Sequence, residues 1–350
     1  MSSRSGDTHR EHGGGTASAA IFGCRGTRLA AEEAAFFSEV KPFGFILFSR
    51  NIETPDQVRA LVAGLRATVG RADAPVLIDQ EGGRVQRLKP PHWRQAPCAA
   101  ALAALPGARA EAAVWLNARL IGRELAALGI TVDCAPVLDV ARPETHGVIG
   151  DRAYSGDPAR VAALGAAVCR GLRDEGVHPV VKHIPGHGRA VADSHLDLPV
   201  VDAAAEDLRA LDFAPFRALA GEDWGMTAHI VYTAFDAAAP ATCSRAVVEG
   251  VIRGEIGFSG LLMSDDLSMK ALSGDFAART RAALGAGCDM VLHCNGEMAE
   301  MRAVAEALPP LSTRAWARFA AAERRRLDAA AAAEENGADE LAARLAAAMA

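Results

Sequence analysis

Short apolar runs recur along the chain, and most are followed by a stretch with helical periodicity. Gly44–Phe48 (GFILF) is the first such run. Thr54-Pro55 then opens a helix that Gly70 closes, with cap residues of the expected kind at both ends. Val76–Asp79 reads as the second strand, and Val132–Val140 contains the third, with a long helix over Arg109–Leu128 between them. Asp157-Pro158 starts a helix that ends at Gly176, before a strand over Val177–His183. Gly225–His229, Leu261–Ser264 and Met290–His293 read as further strands, and Ser244 as a helix N-cap. The pattern therefore predicts about seven strands separated by helices, the signature of parallel βα units. Near-continuous apolar strands fit a sheet buried on both faces.

A closed barrel and an open doubly wound sheet share this pattern. No G-x-G-x-x-G follows an early strand and no G-x-x-x-x-G-K-[ST] occurs, so the nucleotide-binding forms of the open sheet lose support. The expected fold is an α/β, TIM-barrel-like (β/α)8 domain over residues 20–310. Residues 1–19 are expected to form a polar, disordered tail. Residues 311–350, rich in Ala, Arg and Glu with a break at Asn336-Gly337, are expected to be helices packed on the barrel.

Composition narrows the function classes. The chain has 350 residues and a net charge of −6, with 50% hydrophobic residues and no Lys/Arg-rich run. A sizeable core is available, and affinity for nucleic acid or an anionic membrane surface is not expected. No apolar stretch approaches the roughly 20 residues of a spanning helix. The N-terminus lacks the apolar core of a secretory signal. Seven scattered cysteines without a C-x-x-C pair read as buried thiols in a reducing compartment, so the cytoplasm is the expected location.

Ionisable residues gather where the strands end, which is where a βα barrel builds its site. Strand two runs into Asp79–Arg87 (DQEGGRVQR). Asp139 follows strand three, with Gly150-Asp151-Arg152 further along the same connection. Strand four runs into Lys182-His183-Ile184-Pro185-Gly186-His187-Gly188 and then Asp193-Ser194-His195, while His229 and Asp265-Asp266 end the next two. Burying so many charges without function would be costly. Gly82-Gly83 permits a turn or close approach of a ligand. Lys182 and His183 are adjacent, so a regular strand would point them to opposite faces. By the same rule only one of Asp265 and Asp266 enters the cavity. Asp193 and His195 are two apart, so an extended backbone brings them to one side. A carboxylate beside an imidazole is suited to a proton shuttle. On its own, the carboxylate at 265 or 266 suits a nucleophile, a metal ligand or a base.

These segments, DQEGGRVQR, APVLDV (135–140), GDRA (150–153), KHIPGHG, DSH and SDDLSM (264–269), occur in an order and spacing that resembles bacterial β-N-acetylhexosaminidases of glycoside hydrolase family 3. GFILFSRN (44–51) resembles that family's first strand. The resemblance implies a retaining glycosidase that releases terminal β-linked N-acetylglucosamine. It makes Asp265 the nucleophile, His195 the acid/base and Asp193 its dyad partner. Asp79, Arg87, Arg152, Lys182 and His183 would hold the sugar hydroxyls. It requires no metal and no cofactor. Its cytoplasmic single-domain members remove N-acetylglucosamine from anhydro-muropeptides in cell-wall recycling, and the expected state is a monomer. Arg189 departs from the pattern, because an acidic residue is frequent there in relatives.

Other readings of the same residues are a phosphorylase, a Lys182 Schiff-base aldolase, a metal hydrolase using His183, His187, His195 and Asp265, and a non-catalytic muropeptide sensor.

Overall fold

A computed structural model describes residues 17–143, 145–190 and 198–350. Eight parallel strands close into a barrel in chain order: β1 Ser18–Gly23, β2 Pro42–Leu47, β3 Val76–Ile78, β4 Val132–Asp133, β5 His178–Ile184, β6 Trp224–Thr227, β7 Leu261–Asp266 and β8 Met290–His293. The seam is the pairing of β1 with β8, where Ile21 faces Leu292 and Phe22 faces His293.

The strand that pattern reading misses is β1. Its sequence, SAAIFG, is short and alanine-rich, so it lacks the bulky β-branched run that marked the others. GFILF consequently belongs to the second strand of the barrel, not the first. Residues 17–19, expected to belong to a disordered tail, instead lead into and form part of β1. Ala17 and Ala19 are buried, and Ser18 and Ala19 donate backbone hydrogen bonds to Lys41 and Pro309.

Alternation within the strands separates two apolar layers. Leu77, Leu261, Met263, Met290 and Leu292 fill the barrel, while Val76, Ile78 and Val291 pack outward against the helices. The helix Pro55–Val69 begins at Thr54, whose side chain accepts the Gln57 N–H, and ends at Gly70 in the left-handed conformation (φ 63°). Asp157 caps the helix Pro158–Asp174 in the same way.

The C-terminal helices close the structure away from the strand ends. Thr313–Ala332 carries Phe319 beneath the barrel, its ring 4.9 Å from Phe43 and 6.3 Å from Trp224 at the starts of β2 and β6. Ala338–Met349 lies on the helix Gly107–Ala126, where buried Arg119 donates to Asn336 and to the Glu334 carbonyl at 2.7 and 2.9 Å. With the N-terminal end of the barrel sealed, its opening lies at the carboxyl ends of the strands. All seven cysteines are free thiols, five of them buried. Among the described residues no helix is long and apolar enough to cross a membrane.

Candidate active site

The carboxyl ends of the strands surround a cavity of about 210 Å³. Asp79 enters from the end of β3, and Glu81 and Arg87 from the two-stranded hairpin that follows it, Gln80–Gly82 with Val85–Gln86. Arg152 comes from the short turn Gly150–Arg152, Lys182 and His183 from β5, and Asp265 from β7. Six of the eight residues predicted for the site thus meet in one cavity. The other two, Asp193 and His195, lie outside the described residues.

One wall is a continuous chain of ion pairs. Arg87 Nη2 donates to Asp79 Oδ2 at 3.0 Å, and Lys182 Nζ lies 3.0 Å from Asp79 Oδ1 and 2.6 Å from Glu81 Oε1. Arg152 meets Glu81 in a two-pronged contact, with both N···O distances 2.8 Å. Burial raises the pKa of both carboxyls, but the cations outweigh it. Asp79 is held well below the ordinary carboxylate range by Lys182 and Arg87, and Glu81 is held at about 2 by Arg152 and Lys182. Burial likewise opposes the Lys182 charge, yet Asp79 and Glu81 keep its ammonium above the ordinary range. A lysine so fixed is protonated at neutral pH and makes no Schiff-base nucleophile.

Glu81, which is not among the residues expected for the site, stands in the same wall. A signal was present: it stands two positions after Asp79, on the same side of extended backbone. Arg84, likewise not among the expected site residues, supports the wall. It donates to Asp151 at 2.7 Å and to the carbonyls of Gly147, Val148 and Ile149, pinning the segment that delivers Arg152.

Lys182 and His183 do not diverge. Both border the cavity, at a place where the pairing of β5 with β6 shifts register between Val181 and Ile184 and the Lys182–His183 peptide is cis. The His183 ring is oriented by Asp139, whose Oδ2 lies 2.7 Å from Nδ1. The same carboxylate accepts the backbone N–H of His187 at 2.6 Å. Burial would raise Asp139, but His183 more than compensates and its pKa lies at about 2. Burial takes His187 down to about 4 despite the pull of Asp139, so this ring, although it borders the cavity, is neutral at pH 7.

Asp265 and Asp266 both border the cavity, contrary to strict alternation, because β7 shifts register against β8 between Met263 and Asp266. Their surroundings differ. Asp266 Oδ1 accepts the backbone N–H of Ser268 and of Cys294, and its Oδ2 takes the Ser268 hydroxyl, so this carboxylate serves the loop. Asp265 accepts the Asp266 N–H at 2.8 Å. His229 lies fully buried behind the pair, with Nε2 3.0 Å from the Asp266 carbonyl and Nδ1 2.7 Å from Thr242 Oγ1. Burial lowers its pKa, which makes it a neutral structural support.

Gly82 and Gly83 have positive φ (96° and 58°), but the close approach they allow is to the chain itself. A Cβ would stand 2.4 Å from the Pro97 carbonyl oxygen or 2.5 Å from Cys98 Cβ. Arg189 turns away from the cavity to buried Asp212, at 2.6 Å. Among the described residues no three His, Cys, Asp or Glu side chains converge as metal ligands.

Such a wall of fixed cations and carboxylates, sharing its cavity with the half-buried Asp265, is suited to gripping several hydroxyls of a small polyol. Residues 19–327 match the glycosyl hydrolase family 3 N-terminal domain. The chain belongs to glycosyl hydrolase family 3, with the β-hexosaminidase type of glycosidase. A β-hexosaminidase of Pseudomonas aeruginosa (strain LESB58) is 44% identical over 275 residues, 77% of this chain and 80% of that one. Native NagZ from Neisseria gonorrhoeae superposes with a TM-score of 0.83 at 31% identity, covering 96% of this chain and 98% of that one. The same Neisseria protein in complex with N-trifluoroacetyl-D-glucosamine gives 0.81 at 30% identity, over 95% and 96%. These family 3 relatives match nearly the whole barrel, so the family assignment covers every described site residue.

Proposed function

We propose that the chain is a retaining exo-β-N-acetylglucosaminidase that removes terminal N-acetylglucosamine from peptidoglycan fragments, in cell-wall recycling. The observation that carries the reading is the placement of Asp265 across one cavity from Asp79, Arg87, Arg152, Lys182 and His183. In this reading those five side chains hold the sugar hydroxyls and so fix the anomeric carbon against the Asp265 carboxylate. The Neisseria relative, solved with N-trifluoroacetyl-D-glucosamine, supports an N-acylated hexosamine as the sugar.

In the first step a carboxylate oxygen of Asp265 bonds to the anomeric carbon through an oxocarbenium-like state, and the glycosidic bond breaks. The leaving oxygen needs a proton. Asp79, Glu81 and Asp139 are held ionised, and His187 and His229 are held neutral, so none of them is a proton donor at neutral pH. The resemblance to family 3 gives that role to His195, with Asp193 as its dyad partner. In the second step neutral His195 takes a proton from water, the hydroxide oxygen bonds to the anomeric carbon, and Asp265 leaves as carboxylate. No metal or cofactor enters. The reading places the protein in the cytoplasm as a monomer.

The test is nitrophenol release from 4-nitrophenyl N-acetyl-β-glucosaminide in phosphate-free buffer with and without EDTA. Turnover that EDTA leaves intact and that Asp265→Asn abolishes is expected. An activated 5-fluoro N-acetylglucosaminide should add one sugar mass to the peptide containing Asp265. Turnover persisting in Asp265→Asn would refute the nucleophile, and sugar 1-phosphate formed in phosphate buffer would point to phosphorolysis.

A further inference from the structure

Behind the Glu81–Arg152 ion pair lies a second, much smaller cavity of about 20 Å³, bordered by Gln80, Asn117, Asp133 and Tyr154. One water needs roughly 10–15 Å³ of such space. Asp133, at the end of β4, is fully buried, and Asn117 on the helix Gly107–Ala126 is 4% exposed. Asp133 Oδ1 accepts the backbone N–H of Gln80 at 2.9 Å. Its other oxygen, Oδ2, and Asn117 Oδ1 are both buried with no protein partner.

Two acceptors beside one small cavity do not satisfy each other. Left as they are, each would carry the cost of an unpaired buried polar atom, which native interiors rarely tolerate. A donor between them removes that cost. A cation is disfavoured, because the ion-paired wall next to the cavity already sets three cations, Arg87, Arg152 and Lys182, against two carboxylates. Water is neutral and brings two O–H donors. Burial, stronger than the opposing Gln80 N–H and Lys182, also favours the neutral acid form of Asp133, which can itself donate to that water.

We propose that this cavity is a built site for one structural water held between Asp133 Oδ2 and Asn117 Oδ1, and that Asp133 is a positioning residue for the sugar-binding wall. The route runs through Gln80. Its backbone is held by Asp133, and its side chain accepts the N–H of Arg87 and Leu88 at 2.8 and 3.0 Å. Asp79 and Glu81 flank Gln80 in sequence, and Arg87, Lys182 and Arg152 all hang on those two carboxylates. The part concerning the wall rests on the glycosidase reading above; the water site does not.

The test has two arms. A ligand-free crystal structure at a resolution that shows waters should place one water within hydrogen-bonding distance of both side chains. A cavity without density, or an ion with several short oxygen contacts, would overturn the site. In the second arm, Asp133→Leu and Asn117→Leu should each raise KM for the nitrophenyl glycoside roughly tenfold with a smaller change in kcat. Asp133→Asn should restore most of the loss, because its amide keeps the Gln80 contact and donates to the water. Equal losses in Asp133→Asn and Asp133→Leu would refute the neutral-donor role, and Asp133→Asn keeps that arm decisive if the leucine variants fail to fold. An inactive wild type would sink the glycosidase reading and leave the crystallographic arm to decide the water.

Discussion

Replacing Glu81 by Gln removes one charge from the middle of the ion-paired wall and little volume. The Glu81 carboxylate is buried, contacts Arg152 twice and Lys182 once, and has its pKa drawn from 4.5 to about 2. At 1.36 kcal/mol per pKa unit, that difference is about 3 kcal/mol in favour of the charged form in the fold. The glutamine oxygen still accepts from Arg152, so the net loss at pH 7 should be about 2–3 kcal/mol. With an unfolding entropy of about 2.1 cal/mol/K per residue, this lowers Tm by roughly 3–4 °C for a chain of this size. A depressed carboxylate pKa stabilises the fold above its unfolded value, and that stabilisation is lost as pH falls through the folded one. The Tm gap between wild type and Glu81→Gln should therefore be full above about pH 5 and shrink between about pH 4.5 and pH 2. Paired thermal melts across pH 2–8 isolate the effect, since every other carboxylate is common to both proteins. KM should rise at the same time, because Arg152 and Lys182 lose their shared anchor. A Tm gap that stays constant from pH 7 down to pH 2, or no gap at pH 7, would refute the electrostatic account of this wall.

Three further outcomes are expected. His195→Ala should cost on the order of 10²–10⁴ in rate on glycosides whose leaving group needs a proton, and much less in the first step on nitrophenyl glycosides; equal losses would remove His195 from the acid role. Phe319→Ala opens a space beneath the barrel next to Phe43 and Trp224, and should cost about 3–5 kcal/mol in a denaturant titration without changing KM. Borohydride with a carbonyl substrate should leave no adduct on Lys182, whose ammonium is held by two carboxylates; a trapped adduct, read by mass spectrometry, would contradict its assigned charge.

Much of this architecture is readable from residue order. Seven of the eight strands stand out because parallel strands buried on both faces must be apolar throughout, as HPVVKHI and LLMSDD are up to their polar ends. The helix ends at Thr54, Gly70 and Asp157 carry capping residues whose effect is local, so they too are visible in the sequence. Ser18–Gly23 is not visible as a strand, because its status comes from pairing with β2 and β8 on either side, partners more than 20 and 260 residues away in the chain.

The site divides along the same line. Sequence alone determined which residue types stand at the strand ends, and through family-like motifs that the chain is a glycosidase of family 3. Tertiary structure decided their partners. Which of two neighbouring aspartates serves the loop, whether Lys182 and His183 share a face, and that Glu81 joins Arg152 to Lys182 all depend on register shifts and on loops meeting across the barrel. The physical reason is one of range. Capping and periodicity act over a few residues and are written locally, whereas an ion pair between residues 81 and 152 exists only after the barrel closes and water is excluded around it.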